Sequence, residues 1–177
     1  MSVVSDIWIV NGMPGVGKST VAHKLASRYP RGTHIEADRL QDMIVTGSVP
    51  PGSMPVVDQQ RQVHLNVRNQ CLLARSFAAD GFTPVLDYVV PSRECLQEYL
   101  SHLEGLLVRL VTLDPGVEAA VQRDRERPEK TVAADWLHLY HEIREALTGV
   151  GLWVDSSKLS AEETVEKVLA GKEMARL

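Results

Sequence analysis

Gly12-Met13-Pro14-Gly15-Val16-Gly17-Lys18-Ser19 fits the pattern G-x-x-x-x-G-K-[ST]. The residue types suit one task. Glycines let backbone come close to a ligand, and backbone N–H groups at the start of a helix point at phosphate oxygens, where the helix dipole favours negative charge. Lys18 is then placed for the β- and γ-phosphates and the Ser19 hydroxyl for Mg²⁺. The loop as a whole, from Gly12 through Thr20, is the expected cofactor-binding segment. A loop of this kind needs a strand before it and a helix after it. Ile7-Trp8-Ile9-Val10 supplies the apolar run of a buried strand, and Val21, Ala22, Leu25 and Ala26 supply helical periodicity.

Further chemistry sits at the ends of the other apolar runs. Asp38 follows the second and Asp87 ends the third. Phosphoryl transfer to a hydroxyl needs a base for the acceptor's proton, a held Mg²⁺ and cations over the moving phosphoryl. Asp38 suits the base, or is a plain helix N-cap. Asp87 suits the Mg²⁺ shell, directly or through water, or an acceptor hydrogen bond, or is a structural carboxylate at the rim. Glu36 alternates with Asp38 and reads as solvated. Arg123, Arg125 and Arg127 cluster before Pro128, where a lid over about 123–132 could bring arginines onto phosphates. Arg123 and Arg127 share a helical face and are the favoured pair. Asp155-Ser156-Ser157, after the last short strand, is where an adenine base could lie.

The elements that must position these groups follow from punctuation and period. Strands are expected over about Asp6–Asn11, Thr33–Ala37, Thr83–Val89, Leu106–Leu113 and Leu152–Val154. Helices are expected over about Lys18–Tyr29, Arg39–Val45 (capped by Asp38), Gln59–Ala79 (capped by Asp58), from Ser92 to about Leu103, Gly116–Arg125 (started by Asp114-Pro115), Ala133–Leu147 and Ala161–Ala170 (capped by Ser160 with Glu163). Thr46–Pro55, rich in Gly, Ser and Pro, reads as a mobile loop at the site rim. Strands alternating with helices imply an α/β fold, a parallel sheet covered on both faces, with ligands beyond the strands' carboxyl ends. Asp38 and Asp87 then share a rim with Lys18.

A chain of 177 residues with 44% apolar content is read as a single domain. The net charge of −4 and the absence of a basic tract argue against a nucleic-acid surface built on bulk electrostatics, and leave only a local groove, which Arg61, Arg68, Arg75 and Arg93 could line. Cys71 and Cys95 lack metal-ligand spacing and read as reduced thiols. His138 and His141 stand one helical turn apart without an evident third ligand. Trp8, Trp136 and Trp153 read as core. No membrane span or leader is expected, so the cytoplasm is the expected location.

With these motifs in hand, the chain resembles small P-loop kinases, closest to the chloramphenicol phosphotransferase-like and polynucleotide-kinase-like ATPases within the nucleoside-monophosphate-kinase fold. The resemblance implies a three-layer fold with sheet order 2-3-1-4-5, an arginine-bearing lid, and Mg·ATP as phosphoryl donor. It implies Lys18 and Ser19 as loop residues, Asp38 as the base touching the acceptor hydroxyl, and Asp87 as the strand 3 acid. Thr46–Pro55 departs from the family pattern in the region that sets acceptor specificity. Three functions compete. The first is a kinase for a small-molecule hydroxyl, such as an antibiotic, nucleoside or related metabolite. The second is a polynucleotide or RNA 5′-end kinase. The third is a nucleotide-binding switch or sensor, against which stands the absence of Asn-Lys-x-Asp for guanine.

Overall fold

A computed structural model describes residues 6–125 and 136–177. In chain order the elements are β1 (Asp6–Asn11), α1 (Lys18–Ala26), β2 (Gly32–Glu36), α2 (Ala37–Asp42), α3 (Val56–Ala79), β3 (Thr83–Asp87), α4 (Arg93–His102), β4 (Leu107–Leu113), α5 (Val117–Arg125), α6 (Leu137–Leu147), β5 (Leu152–Val154) and α7 (Ala161–Ala170). The five strands form one sheet in the order β2-β3-β1-β4-β5, and every pair is parallel. β1 is central because it is apolar on both faces: Ile7, Trp8, Ile9 and Val10 are all fully buried. Burying each such side chain stabilises by roughly 1.5–3 kcal/mol before entropy is counted. Right-handed crossovers send α1 to one face, where it packs on α7, and α3 with α4 to the other.

Several boundaries differ from the sequence expectation. β2 stops at Glu36 and α2 starts at Ala37, so Asp38 lies in the first turn of α2 and is not its cap. α3 starts at Val56 after Pro55, which puts Asp58 in its first turn. α5 starts at Val117. Asp114, expected to cap it, instead accepts a long bond from Gly116 N (3.3 Å) and pairs with Arg144 of α6. α1 ends at Ala26 and β3 at Asp87. Ser92 does cap α4, accepting from Cys95 N (3.2 Å), and Ser160 with Glu163 forms the expected capping box of α7. Both cysteines are free. Trp8 is core, with Nε1 donating to the Tyr29 hydroxyl (2.8 Å), whereas Trp136 is only half-buried.

β5 pairs only with Val111–Leu113, the upper half of β4. The lower half is partnered by residues 175–177: Leu110 N donates to Ala175 O (2.8 Å) and Leu177 N to Val108 O (3.1 Å). Arg109, 4% exposed, anchors this end of the sheet through Asp6 (3.2 Å), Glu173 (3.2 Å) and the carbonyl of Lys172, with its guanidinium near the Trp8 ring. No described helix is long and apolar enough to cross a membrane.

Candidate active site

The end of β1 fixes the corner from which the phosphate loop departs. Asn11 is fully buried, and its Oδ1 accepts from Val90 N (2.7 Å) beyond β3 while its Nδ2 donates to Thr112 Oγ1 (3.2 Å) on β4. One side chain thus ties three strand ends together at the point where the sheet order reverses. Gly12 follows with φ +144, and a Cβ there would stand 2.8 Å from both Leu113 O and Val16 Cγ2, so the turn requires glycine. Met13 and Val16 are buried beneath the loop, and Pro14 is half-buried on its outside. Gly15, Val16, Gly17 and Thr20 face a cavity. α1 opens at Lys18, whose ammonium donates to Met13 O (3.1 Å), and the Ser19 hydroxyl sits at the start of the helix, exposed.

Asp87 stands at the last position of β3, level with Val10 of β1 and Glu36 of β2. It is 7% exposed. Burial pushes its carboxyl up, but His34, Lys18 and Ser19 together outweigh that and hold it below the usual carboxylate range. The charged form is therefore favoured where the loop's lysine and serine converge, and the carboxylate with the serine hydroxyl offers the oxygen donors a divalent cation takes. His34 was not singled out from the sequence. Cross-strand register brings its Nε2 to 3.6 Å from Asp87 Oδ2, too long for a hydrogen bond and short enough for an ion pair, and its Nδ1 to 3.8 Å from Glu36 Oε1. Glu36 also accepts from Arg39 Nε (3.0 Å). Among the described residues no cluster of three or more His, Cys, Asp or Glu could hold a metal by itself; Ser19 and Asp87 would share the ion with phosphate oxygens and water.

Asp38 is exposed on the same rim. Burial above all, then Cys95 and Asp38, pushes the Tyr88 phenol upward, so Asp38 lies within electrostatic reach of the residue that follows Asp87. The segment after α2 forms an arch. Gln62 holds its near side, at Gly47 and Val49, and Gly52 (φ +82) lies so close to the Trp136 indole that a Cβ would stand 2.5 Å from Cη2. The arch therefore reaches from the α2 side to the residue just before α6. From Met43 to Val57 the chain has no charged residue.

The arginines divide. Arg127 and the expected lid beyond Arg125 lie outside the described residues. Arg125 ends α5 and is exposed. Arg123 reaches the phosphate loop, but its guanidinium is taken up by carbonyls: Val16 O (3.4 Å), Ser157 O (3.5 Å), Leu159 O (3.4 Å) and, most closely, Ser156 O. It thereby walls a cavity of about 240 Å³ together with Gly15, Thr20, Ser156 and Leu159. Ser156 is buried there; Asp155 is exposed and closes its own turn by accepting from Ser157 N (2.9 Å). Arg75, one candidate for a nucleic-acid groove, donates to the carbonyls of His102 and Glu104 (3.2 and 3.0 Å) and so fastens α3 to the end of α4. His138 and His141 are exposed.

Known proteins share this architecture. A tunicamycin resistance protein from Deinococcus radiodurans matches with a TM-score of 0.66 at 22% identity, covering 97% of this chain and 98% of that one. A sugar kinase from Janibacter matches with a TM-score of 0.72 at 21% identity, covering 97% and 96%. A gluconokinase from Sinorhizobium meliloti matches with a TM-score of 0.67 at 18% identity, covering 97% and 94%. At these identities the likeness establishes the shared fold alone. No curated protein sequence matches the chain. The family described as AAA domain matches residues 7–141, a span that runs from β1 through the phosphate loop and both rim carboxylates into α6. On that match, and with the loop, the buried Asp87 and the sheet order all in place, the chain belongs to the AAA-domain family.

Proposed function

We propose that the protein is a cytoplasmic ATP-dependent kinase that transfers the γ-phosphoryl group to a hydroxyl of a small molecule. The observation that carries this reading is Asp87: a carboxylate buried at a strand end yet favoured in its charged form by His34 and by the loop's own lysine and serine. Such a group suits the Mg²⁺ that accompanies ATP, with Ser19 as the other protein ligand. Bound there, the ion would neutralise charge between the β- and γ-phosphates. The loop N–H groups between Gly12 and Thr20, Pro14 having none, bind phosphate oxygens, and Lys18 leaves Met13 O for the β- and γ-phosphates. The cavity walled by Arg123 and Ser156 takes the adenine.

Asp38 is the base in this reading. The acceptor oxygen forms the new bond to the γ-phosphorus as the bond to the β,γ-bridging oxygen breaks, ADP leaves with that electron pair, and the acceptor's proton passes to the Asp38 carboxylate. Arg127, on the lid proposed over about 123–132, stands as the cation over the moving group. The kinase domain is proposed to comprise residues 1–177. The charge-free rim from Met43 to Val57 supports a neutral acceptor over an anionic one.

The test is ADP release from Mg·ATP against a panel of neutral acceptors (chloramphenicol, uridine) and anionic ones (gluconate, shikimate), with an oligonucleotide 5′-hydroxyl alongside. A neutral acceptor should give the highest rate, and Asp38→Asn should lower it by about 10²- to 10⁴-fold with ATP affinity nearly unchanged. Undiminished turnover in Asp38→Asn would remove Asp38 from the chemistry. Tight binding of GTP with no transfer to any acceptor would refute the kinase reading itself.

A further inference from the structure

Gln62, Asn66 and Gln70 lie four residues apart on α3, so their side-chain amides form one stripe along the helix. The stripe holds the segment that bears Asp38 at four places. Gln62 Oε1 accepts from Gln41 Nε2 (3.0 Å) near the end of α2 and from Val49 N (2.8 Å), and its Nε2 donates to Gly47 O (2.7 Å). Asn66 Nδ2 donates to Ala37 O (2.8 Å), the carbonyl immediately before Asp38. Gln70 Nε2 donates to Asn66 Oδ1 (2.9 Å) and thereby fixes which way the Asn66 amide faces, while Gln70 Oε1 accepts from the Tyr99 hydroxyl of α4 (2.9 Å). Asn66, Gln70 and Tyr99 are buried.

This arrangement is an expensive way to attach a short helix. α2 fully buries only Ala37 and rests the half-buried Leu40 against the core, so apolar packing alone gives a short helix little to fix where it sits. Three polar side chains are taken into the core instead, each with its partner supplied, and such a chain fixes direction and distance where apolar contact tolerates sliding. The chain begins at a tyrosine on α4, runs through α3 and ends one residue from the rim carboxylate. We propose that the amide stripe Gln62–Asn66–Gln70, anchored on Tyr99, is the positioning device for Asp38, setting the first turn of α2 against the end of β3 and the phosphate loop. None of its members touches the reacting atoms. The inference rests on the reading of Asp38 as the group that takes the acceptor's proton.

The experiment uses basal hydrolysis of Mg·ATP, in which water stands in for the organic hydroxyl, with the full chain as wild type, Asp38→Asn, Asn66→Ala and the double variant. Asn66→Ala should lower kcat by about 10- to 100-fold and leave KM for ATP within about twofold. In the Asp38→Asn background it should cost nothing further, because a base that is gone cannot be misplaced. Losses that multiply in the double variant overturn the positioning role and leave the role of Asp38 intact. An Asp38→Asn enzyme as fast as wild type overturns both. Should Asn66→Ala fail to fold, Gln62→Met tests the same stripe at its half-exposed end: it should melt with the wild type, turn over more slowly, and again add nothing to Asp38→Asn. A Gln62→Met enzyme with wild-type melting and wild-type turnover overturns the proposal.

Discussion

Arg123→Ala separates two roles that one arginine could fill. On a lid, Arg123 would act on the transferred phosphoryl, and its loss would fall on kcat. In the structure its guanidinium binds the turn after β5 and the loop carbonyl of Val16, so its loss should fall on ATP affinity. The size follows from the contacts. A hydrogen bond from a charged donor contributes about 1.5–3 kcal/mol. Only the bond to Ser156 O is close; the others run from 3.4 to 3.5 Å and add little. One effective bond, partly in water, gives a value near the lower end. If ATP binding must supply the order that Arg123 now gives the turn at Ser156–Leu159, KM for ATP should rise by about 10-fold, since about 1.4 kcal/mol is a factor of ten. kcat should change by less than about threefold. Calorimetric titration with a non-hydrolysable ATP analogue gives the affinity and steady-state ADP release gives kcat. A fall in kcat of more than about 100-fold with unchanged affinity would refute this reasoning and return Arg123 to the phosphates.

Asp87 makes a pH-dependent contribution to stability. Its folded pKa is depressed, so the contribution is present above the unfolded carboxylate value of about 4 and is lost as pH falls through the folded value; the gap in Tm between wild type and Asp87→Asn should narrow from pH 7 to pH 3, and a constant gap would contradict it. Gly12→Ala forces an L side chain to φ +144 against Leu113 O and should cost about 1–3 kcal/mol and abolish ATP-analogue binding, read by thermal unfolding with and without the analogue. Burial pushes the thiols of Cys71 and Cys95 up to about 12, so at pH 8 about 10⁻⁴ of each is thiolate; iodoacetamide should label neither until the chain unfolds, and labelling of half-buried Cys95 within minutes would count against it.

The phosphate loop was legible because its chemistry is local: strand, glycines, lysine and serine are consecutive, and the backbone does the binding. Asp87 was legible because a charge at the end of an apolar run has to reach a rim. Asp38 was found as the candidate base, but its place was read as the cap of α2, since a carboxylate before a helix and one in its first turn differ by a single residue that the sequence does not mark. His34 was missed because its meaning lies in register: only the pairing of β2 with β3 puts its ring beside Asp87. The amides of α3 were missed for another reason. Their spacing of four is plain, but a polar stripe on a helix reads as solvent-facing, and burial of Asn66 and Gln70 is decided by α2 and α4 packing over them. Trp136 read as core because nothing local reveals that its partner is a glycine in a distant arch.

The pairing of residues 175–177 with the lower half of β4 bears on the order in which the molecule can be made. β1, the phosphate loop and α1 leave the ribosome before the other described elements, and β3 can join them as soon as it follows. β4 cannot be fully partnered, however, until β5 and then the stretch beyond α7 have emerged. Until then Leu110 N–H and Val108 C=O face outward from a strand of nearly continuous apolar residues, an edge open to any other chain. The nucleotide site sits at the opposite end of that same strand, so nascent chains would gain their phosphate loop well before they lose their most adhesive edge.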